Sequence, residues 1–459
     1  MRAIALLLLV AAVLVQPVAA QPIEFAGSIR LRGEAWSWFE ASGYEDDYTF
    51  LGSIIRASAS QKRARSAWQV ELAQPTLIDL PDAATAPAPR GQLGLGASYF
   101  AANGAQNPAG LFVKQAWFRL DRGTASLRIG RFEFNEGTEV APKDAALAAI
   151  KQQRIAARLI GTFAFSHVGR SFDGVHATWG RAPLQATRVA ARPTAGAFRV
   201  DGGSTLGDVG LMYGSITRSV ASADMRLFAI VYRDDRGLLK ADNRPLAART
   251  MDRSDIDVVT LGGHYVRLVG KNDVLLWGAL QTGDWGTLDH SAYAFAVEAG
   301  RRWESASLRG GMYLGSGDCD PADGDHDTFL QILPTPRMYA RFPFYNAMNG
   351  RDLYLIGAWR ATPSLRVTSE IHRLRLATLS DLWYAGGGAF EETSFGFAGR
   401  PSNGSRDLAT VIDVGAELGI GKKTSVGAYI GLASGGDVID AIYAGNEGRY
   451  AYLEVIRRF

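Results

Sequence analysis

From residue 23 onward, apolar and polar residues alternate in short segments, and the connections between these segments alternate in length. Counted from the first segment, the even connections are short and most odd connections are long. Alternation with a period of two predicts β-strands with one apolar and one wet face. Short turns on one side with long loops on the other are typical of a membrane-spanning barrel. A soluble sandwich has no reason to segregate its loops in this way.

The mature chain, residues 21–459, is therefore predicted to be one all-β domain. We expect a transmembrane antiparallel up-and-down β-barrel of about 18 strands, with short periplasmic turns and long extracellular loops. The short connections are residues 61–65, 121–123, 181–183, 218–223, 270–273, 304–305, 362–364 and 421–423. The long connections include residues 75–111, 135–171, 234–256, 316–351 and 377–406.

Charged residues lie in the middle of the polar faces of several predicted strands. A small packed core would have to desolvate these charges, whereas the water-filled lumen of a large barrel leaves them solvated. The position of these charges therefore favours a barrel over a sandwich, which the alternation alone does not. The predicted inward charges are Arg30, Arg32, Glu34, Arg56, Glu71, Arg366, Glu370, His372, Asp413 and Glu417.

Both ends of the chain agree with a membrane-spanning barrel. Residues 447–459 alternate and end on Phe459, which resembles the last strand of a bacterial outer-membrane barrel. Residues 1–20 have a basic residue, a short apolar core and a small-residue site ending at Ala20, as in a cleaved secretory signal peptide. After Ala20 no run of about 18 uncharged apolar residues occurs, so no membrane-spanning helix is predicted. We therefore expect a protein of the Gram-negative outer membrane.

Known enzymatic motifs are missing from the sequence. There is no Gly-x-Ser-x-Gly elbow, no His-Glu-x-x-His pair and no phosphate-binding loop. The six histidines, scattered along the chain, are expected at the lumen or the interface. The single Cys319 excludes an internal disulfide. A non-enzymatic protein is thus predicted, with a surface adhesin or a barrel enzyme acting through its long loops as the alternative.

A family resemblance appears in residues 128–175. Gly130-Arg131 lies in a predicted strand, Arg154, Arg158 and Gly161 follow in a long excursion, and Arg170-Ser171-Phe172-Asp173-Gly174 begins the next strand. Together with Gly317-Asp318 and residues 328–335, this arrangement resembles the alginate-export family of outer-membrane barrels. The resemblance implies passage of an anionic saccharide, such as a polyuronate, through an arginine-rich pore. A general or phosphate-type porin is the runner-up within transport.

Arginine dominates the cations of the chain, since only eight of the 49 basic residues are Lys. An anion pore needs inward cations that hand the anion from one to the next, and Arg offers a planar fork suited to carboxylates. An alternative is that these arginines only pair with acids of the barrel wall. The candidate pore residues are Arg30, Arg32, Arg56, Arg128, Arg131, Arg154, Arg158, Arg170, Asp173, Arg309 and Arg366.

Residues 318–327 form an acidic loop. Its carboxylates could hold Ca²⁺, although their spacing is not that of an EF-hand. The candidate ligands are Asp318, Asp320, Asp323, Asp325 and Asp327, and no other cofactor is expected. A separate hypothesis is that residues 142–158, with Ala and Leu at helical spacing, form a short helix that constricts the lumen. Expected partners are outer-membrane lipid, an anionic saccharide and periplasmic export components, but no nucleic acid.

Overall fold

The structure is a computed structural model that describes residues 22–335, 339–386 and 391–459. The predicted signal peptide lies outside the described residues. Eighteen antiparallel strands form a closed barrel, in which each strand pairs with the next and the last pairs with the first. The strands are β1 (Glu24–Ser37), β2 (Asp47–Lys62), β3 (Ser66–Ile78), β4 (Phe112–Arg122), β5 (Ala125–Phe132), β6 (Phe172–Arg181), β7 (Leu184–Pro193), β8 (Val209–Val220), β9 (Ala223–Asp234), β10 (Ile256–Val269), β11 (Asn272–Trp285), β12 (Leu288–Arg302), β13 (Ala306–Gly315), β14 (Gly350–Arg360), β15 (Leu365–Leu376), β16 (Asp407–Ile420), β17 (Thr424–Gly435) and β18 (Glu447–Arg458).

The predicted barrel and its segregation of loop lengths are confirmed. The even connections are tight turns, such as residues 270–271 and 421–423, whereas residues 79–111, 133–171 and 377–406 are long loops. One connection departs from this pattern, because β11 and β12 meet at residues 286–287 on the long-loop side. There the strands extend further than predicted, so that β12 begins at Leu288 rather than Tyr293.

Alternation decides which side chains face out. In β16, Ile412 and Val414 are exposed on the outer wall while Asp413 is buried inside. Many large apolar side chains of the outer wall are similarly exposed, with Leu227 at 74% and Leu280 at 66%. An exposed apolar surface of this extent is suited to lipid contact. No helix within the described residues is long and apolar enough to cross a membrane.

The barrel closes where the C-terminal strand meets the first strand. In this pairing Leu31 lies opposite Val455 on the outer wall and Arg32 lies opposite Glu454 on the inner wall. The N–H of Phe459 donates to the carbonyl of Gly27 at 3.0 Å, which extends the ladder to the last residue. The predicted alternation of residues 447–459 is therefore confirmed, and its aromatic end takes part in closure.

Helices and short strands lie in the loops. The helices are α1 (Leu95–Asn103), α2 (Ala145–Arg154), α3 (Leu246–Met251) and α4 (Asp437–Asp440). The short strands are Thr85–Ala86, Gly91–Gln92, Asp325–His326, Trp383–Gly386 and Phe397–Arg400. Helix α2 starts at Asp144, whose carboxylate accepts from the N–H groups of Ala146 and Leu147 at 2.8 and 3.0 Å. This cap satisfies two of the donors that a helix start leaves open.

Two long loops fold into the lumen and join there. Residues 133–171 include α2, and residues 316–349 return beside them; we call the described parts of these two loops the plug. Ile160 and Leu333 form a parallel bridge, and the N–H of Gly161 donates to the Leu333 carbonyl at 2.7 Å. Leu333 and its neighbour Ile332 are fully buried. The hypothesis of a helix inside the lumen is therefore confirmed for residues 145–154.

The fit of the plug against the wall makes a stability prediction. Gly52 of β2 faces inward, and a Cβ added there would lie 2.3 Å from Nε2 of His167 in the plug. We expect Gly52→Ala to lower the free energy of unfolding by about 1–3 kcal/mol, because overpacking displaces the plug. Urea unfolding in detergent, followed by tryptophan fluorescence, measures this change.

The neighbouring strand offers a matched control. A Cβ added at Gly33 of β1 meets nothing within 4 Å, so Gly33→Ala should leave stability unchanged. Equal unfolding midpoints for the two variants would contradict the tight contact at Gly52.

Candidate functional site

On the side of the short turns, the lumen opens into a cavity of about 770 Å³ that we call the basic vestibule. Helix α2 forms one side, and strands β14 to β18 form much of the remainder. The charged residues that line it are Arg154, Arg309, Arg341, Arg360, Arg366 and Arg458, with Glu370, Glu417 and Glu454. The arginines outnumber the acids, so the vestibule favours an anion over a cation.

Arg360 and Arg366 lie directly opposite each other across the β14–β15 pairing, and both face the vestibule. Gln153 of α2, with its amide oxygen turned toward Arg366, accepts from both Nη atoms at 3.1 Å. Glu417 lies opposite Arg366 on β16, yet no carboxylate of the described residues is within 4.0 Å of either guanidinium. Arg366 is therefore held by a neutral neighbour, and both cations face solvent.

Arg154 lies where α2 meets the wall, between the vestibule and the centre of the lumen. Its Nε donates to both carboxylate oxygens of Glu298 at 3.0 and 3.1 Å. Glu298 also accepts from Arg309 at 3.3 Å and from the hydroxyl of Tyr354 at 2.8 Å. Asp273 contacts Arg309 at 2.5 Å. Two predicted pore arginines thus pair with buried acids of the wall.

Arg158 stacks on aromatic rings beyond this point. Its guanidinium lies 4.1 Å from the ring centre of Tyr339 and 4.8 Å from that of Trp277, and it donates to the carbonyl of Arg154 at 2.8 Å. A cavity of about 50 Å³ lies beside it, and both Arg154 and Arg158 line this cavity. The arginine is thus held inside the lumen by a cation–aromatic cluster.

Three more predicted arginines hold the plug against the wall. Arg30 donates to the carbonyl of Ala164 at 2.8 Å, and Arg32 donates to that of Phe165 at 2.8 Å. Arg32 also pairs with Glu454 at 2.6 Å. Arg56 pairs with Glu71 and, at 3.0 Å, with Glu133 of the plug. One alternative from the sequence was that these arginines pair with acids of the barrel wall, and Arg32 and Arg56 do so.

Arg128 and Arg170 occupy different surroundings. Arg128 faces the lumen, where it contacts His176 Nδ1 at 2.6 Å and lies 4.6 Å from the ring centre of Phe132. Arg170 is buried in the plug, 5.2 Å from the ring centre of Phe163. Neither lines the basic vestibule.

Arg131 corrects one sequence expectation. It continues the outer row of Leu127 and Ile129 in β5, so it does not face the lumen. Asp173 lies opposite on the outer row of β6 and accepts two hydrogen bonds from Arg131, each 2.7 Å long. Alternation places residues 128 and 131 on opposite faces, since their separation is odd. The expectation that both face inward was wrong for Arg131.

The sequence interpretation missed Arg360, Arg458 and Arg341 of the vestibule. Arg360 could have been found from the sequence, because the predicted turn at residues 362–364 places it opposite Arg366. Arg458 shares the inner row with Glu454, which the alternation of β18 also indicates. Arg341 comes from the second plug loop, contacts Thr368 at 2.8 Å and Glu370 at 3.4 Å, and has no periodic signal.

Glu370, His372 and Asp413 form the one group of metal-ligating side chains that converges within the described residues, with one atom of each within 4.8 Å of the others. The group is already part of an ion-pair network. His372 Nδ1 contacts Asp352 at 2.8 Å, and Arg341 lies 3.6 Å from Asp413. The Arg341 guanidinium offsets the negative charge of these acids, so the group is an ion-pair network of the barrel wall.

The acidic loop, residues 318–327, forms local turns. The carboxylate of Asp318 accepts from the N–H of Asp320, and that of Asp323 accepts from the N–H of Asp325, both at 3.0 Å. No three of the five carboxylates converge within 4.8 Å in this fully described loop. The calcium site therefore stays a prediction.

Asp318 also joins two extracellular loops. Its N–H donates to Asp381 at 3.1 Å, and Asp381 accepts from the hydroxyls of Thr328 and Tyr384 at 2.7 and 2.8 Å. Burial raises the pKa of Asp318 to about 7, and the nearby charge of Asp381 adds to the rise. Burial likewise raises the pKa of Asp381 to about 6.

Comparison with solved structures supports the fold. OccAB1 of Acinetobacter baumannii has a TM-score of 0.59 at 9% identity, covering 95% of this chain and 97% of its own. OpdK of Pseudomonas aeruginosa, solved with vanillate, has a TM-score of 0.57 at 9% identity, with 95% and 98% covered. OccAB4 of Acinetobacter baumannii has a TM-score of 0.55 at 10% identity, with 97% and 100% covered. At these identities the likeness concerns the fold, a closed antiparallel barrel of 18 strands.

The family follows from the sequence match. The alginate export model matches residues 109–441, and the protein belongs to that family. The matched region contains both segments on which the resemblance was based. No curated protein matches the sequence.

Removing the acid shared by Arg154 and Arg309 tests the charge network. Glu298→Gln leaves these guanidinium groups in the lumen wall without their common partner. We expect it to lower the free energy of unfolding by about 3 kcal/mol, because an uncompensated buried charge is costly. Urea unfolding in detergent measures the effect. Glu447→Gln, which breaks an exposed pair with Arg449, is the control; an equal loss in both variants would contradict the buried network.

The raised pKa values of Asp318 and Asp381 predict a pH dependence. An acid with a pKa raised by folding binds more protons in the folded state, so its stabilising contribution falls as pH rises toward about 7. We expect amide exchange in residues 316–335 and 377–386, corrected for intrinsic rates, to be about tenfold faster at pH 8 than at pH 5. Asp381→Asn should show a smaller difference between the two pH values, because only Asp318 of the two acids then titrates in this range. Asp320→Asn is the control, and an unchanged rate in the wild type would argue against the coupling.

Proposed function

We propose that this protein is an outer-membrane channel that passes anionic saccharides through its arginine-lined lumen. The single observation that carries the proposal is the opposed pair Arg360 and Arg366 in the basic vestibule. Like charges directly opposite on neighbouring strands destabilise a sheet. Arg360 and Arg366 nevertheless lie opposite each other beside a neutral amide, so this part of the vestibule is suited to binding a mobile anion.

The other cations of the vestibule extend this site in two directions. Arg458 of β18 lies on the same cavity wall. Arg154 connects the vestibule with the aromatic part of the lumen, where Arg158 stacks on Tyr339. A carboxylate could pass from one guanidinium to the next, and sugar rings could stack on the aromatic faces. The acids paired with Arg154 keep its attraction moderate, which favours release.

A second candidate is a channel for small organic anions. The plug loops join across the lumen through Ile160 and Leu333, which supports passage of a small solute more than that of a long polymer. OpdK, which shares the fold, was solved with vanillate, a small carboxylate. The two candidates share the arginines of the vestibule and differ in the size of the solute.

Reversal potentials in planar bilayers under a salt gradient test the anion site. We expect wild-type channels to select anions, and the double variant Arg360→Gln, Arg366→Gln to lose about fivefold in anion-over-cation permeability. This corresponds to about 1 kcal/mol, the scale of two charges in contact in water. The matched control is Arg267→Gln, Arg301→Gln, which removes two exposed arginines from the outer wall. Cation selectivity of the wild type would overturn the proposal.

Solute size separates the two candidates. Galacturonate monomer, dimer and tetramer are added to the same bilayers, and current block is recorded for the wild type and the vestibule variant. Stronger block by the longer oligomers supports the saccharide channel, whereas block by the monomer alone supports the small-anion channel. Block that is the same in the vestibule variant would place the binding elsewhere.

A further inference from the structure

The outer wall carries a second pair of opposed arginines. Arg351 of β14 and Arg375 of β15 lie directly opposite each other, and both side chains are exposed. They belong to the outer rows of their strands, because Leu353 and Ile371 on the same faces are 65% and 43% exposed. Arg373 of the same outer row lies opposite Leu353.

The position of this pair marks the upper boundary of the lipid-facing wall. Below it, Leu355, Ile371 and Ile412 continue the exposed apolar surface across three strands. Above it, both strands reach the long extracellular loops within one residue. The arginines therefore lie where acyl chains give way to headgroups in the outer leaflet.

Carboxylates do not offset this pair. Asp407 is bound to Arg373 at 2.7 Å, and Thr410 accepts from the same guanidinium at 2.8 Å. Among the described residues, no acid lies within 4.0 Å of Arg351 or Arg375. The stretches outside the described residues, 1–21, 336–338 and 387–390, contain no Asp or Glu. Asp407 lies opposite Arg375 in the pairing of β15 with β16, but its carboxylate is bound to Arg373, so neither Arg351 nor Arg375 makes an ion pair within the chain.

Three other outer-wall arginines at the same end of the barrel are neutralised, whereas Arg192 of β7 is exposed without an ion pair. Arg131 pairs with Asp173 at 2.7 Å, and Arg449 pairs with Glu447 at 2.9 Å. Arg233 is bound to Asp257 on the neighbouring strand. What distinguishes Arg351 and Arg375 is that two such guanidinium groups lie directly opposite each other, which concentrates positive charge at one place on the outer wall.

We propose that Arg351 and Arg375, with Arg373 beside them, bind the phosphate groups of a glycolipid in the outer leaflet. Two guanidinium forks across one pair of strands match the oxygens of a phosphate monoester. The apolar surface below them, from Leu353 to Ile371, receives the acyl chains, which distinguishes a lipid headgroup from free phosphate. This site faces away from the lumen and does not depend on the proposed transport function.

Binding of purified lipid A tests the proposal. Native mass spectrometry in dodecyl maltoside measures binding of diphosphorylated hexa-acyl lipid A and of the same lipid without phosphates to the full chain. We expect the wild type to bind the phosphorylated lipid about tenfold more tightly than the Arg351→Gln, Arg375→Gln variant. The matched control, Arg233→Gln, Arg449→Gln, removes two paired arginines at the same end and should bind as the wild type does. Resistance of the unheated barrel to SDS checks that each variant is folded.

Three outcomes would overturn the proposal: equal affinity of wild type and variant, equal affinity for the two lipids, or displacement of the lipid by millimolar inorganic phosphate. The comparison of the two lipids on the wild type stands even if the double variant fails to fold. Thermal unfolding gives a further readout, because a ligand that binds the folded state raises the melting temperature. The phosphorylated lipid should raise it in the wild type and in the control variant, and should leave it unchanged in Arg351→Gln, Arg375→Gln.

Discussion

The structure depends on closure of the backbone hydrogen-bond ladder between β1 and β18. A strand edge facing lipid would leave N–H and C=O groups without partners, at a cost of several kcal/mol each. Closure removes that edge and extends to Phe459, whose N–H bonds to Gly27. It also couples the faces of all strands, because a one-residue slip in any pairing of the closed ladder would turn the side chains of a strand to the other face. The apolar outer wall and the charged inner wall are therefore consequences of the same constraint.

The charged inner wall determines how the plug packs. Buried charges are stable where opposite charges and hydrogen bonds compensate them. Glu298 compensates Arg154 of α2, and Glu454 compensates Arg32, which in turn binds the plug backbone at Phe165. The plug thus lies where wall charges need partners. Arg360 and Arg366, which have no such acid partner, face the vestibule, so the arginines proposed to bind an anion differ from the structural ones by their contacts.

The sequence predicts what is periodic and leaves open what is not. The strands, their faces and the segregation of the loops follow from alternation, and even the opposed faces of Arg128 and Arg131 follow from it when applied strictly. Helix α2 is detectable because Ala and Leu recur at helical spacing. The bridge between Ile160 and Leu333, and the stacking of Arg158 on Tyr339, join distant loop residues. Irregular loops carry no period, so these contacts required the structure.

One strand register links the inner and outer arginine pairs. The pairing of β14 with β15 places Arg360 opposite Arg366 and Arg351 opposite Arg375 at the two ends of one hairpin. Residues 351 and 360 are separated by an odd number, so the first pair faces the vestibule and the second faces outward. Slipping one strand by a single residue would turn its side chains to the other face. Such a slip of β14 would bring Leu353 and Leu355 into the lumen. The apolar surface that meets lipid therefore fixes the register of the hairpin, and with it the position of both arginine pairs.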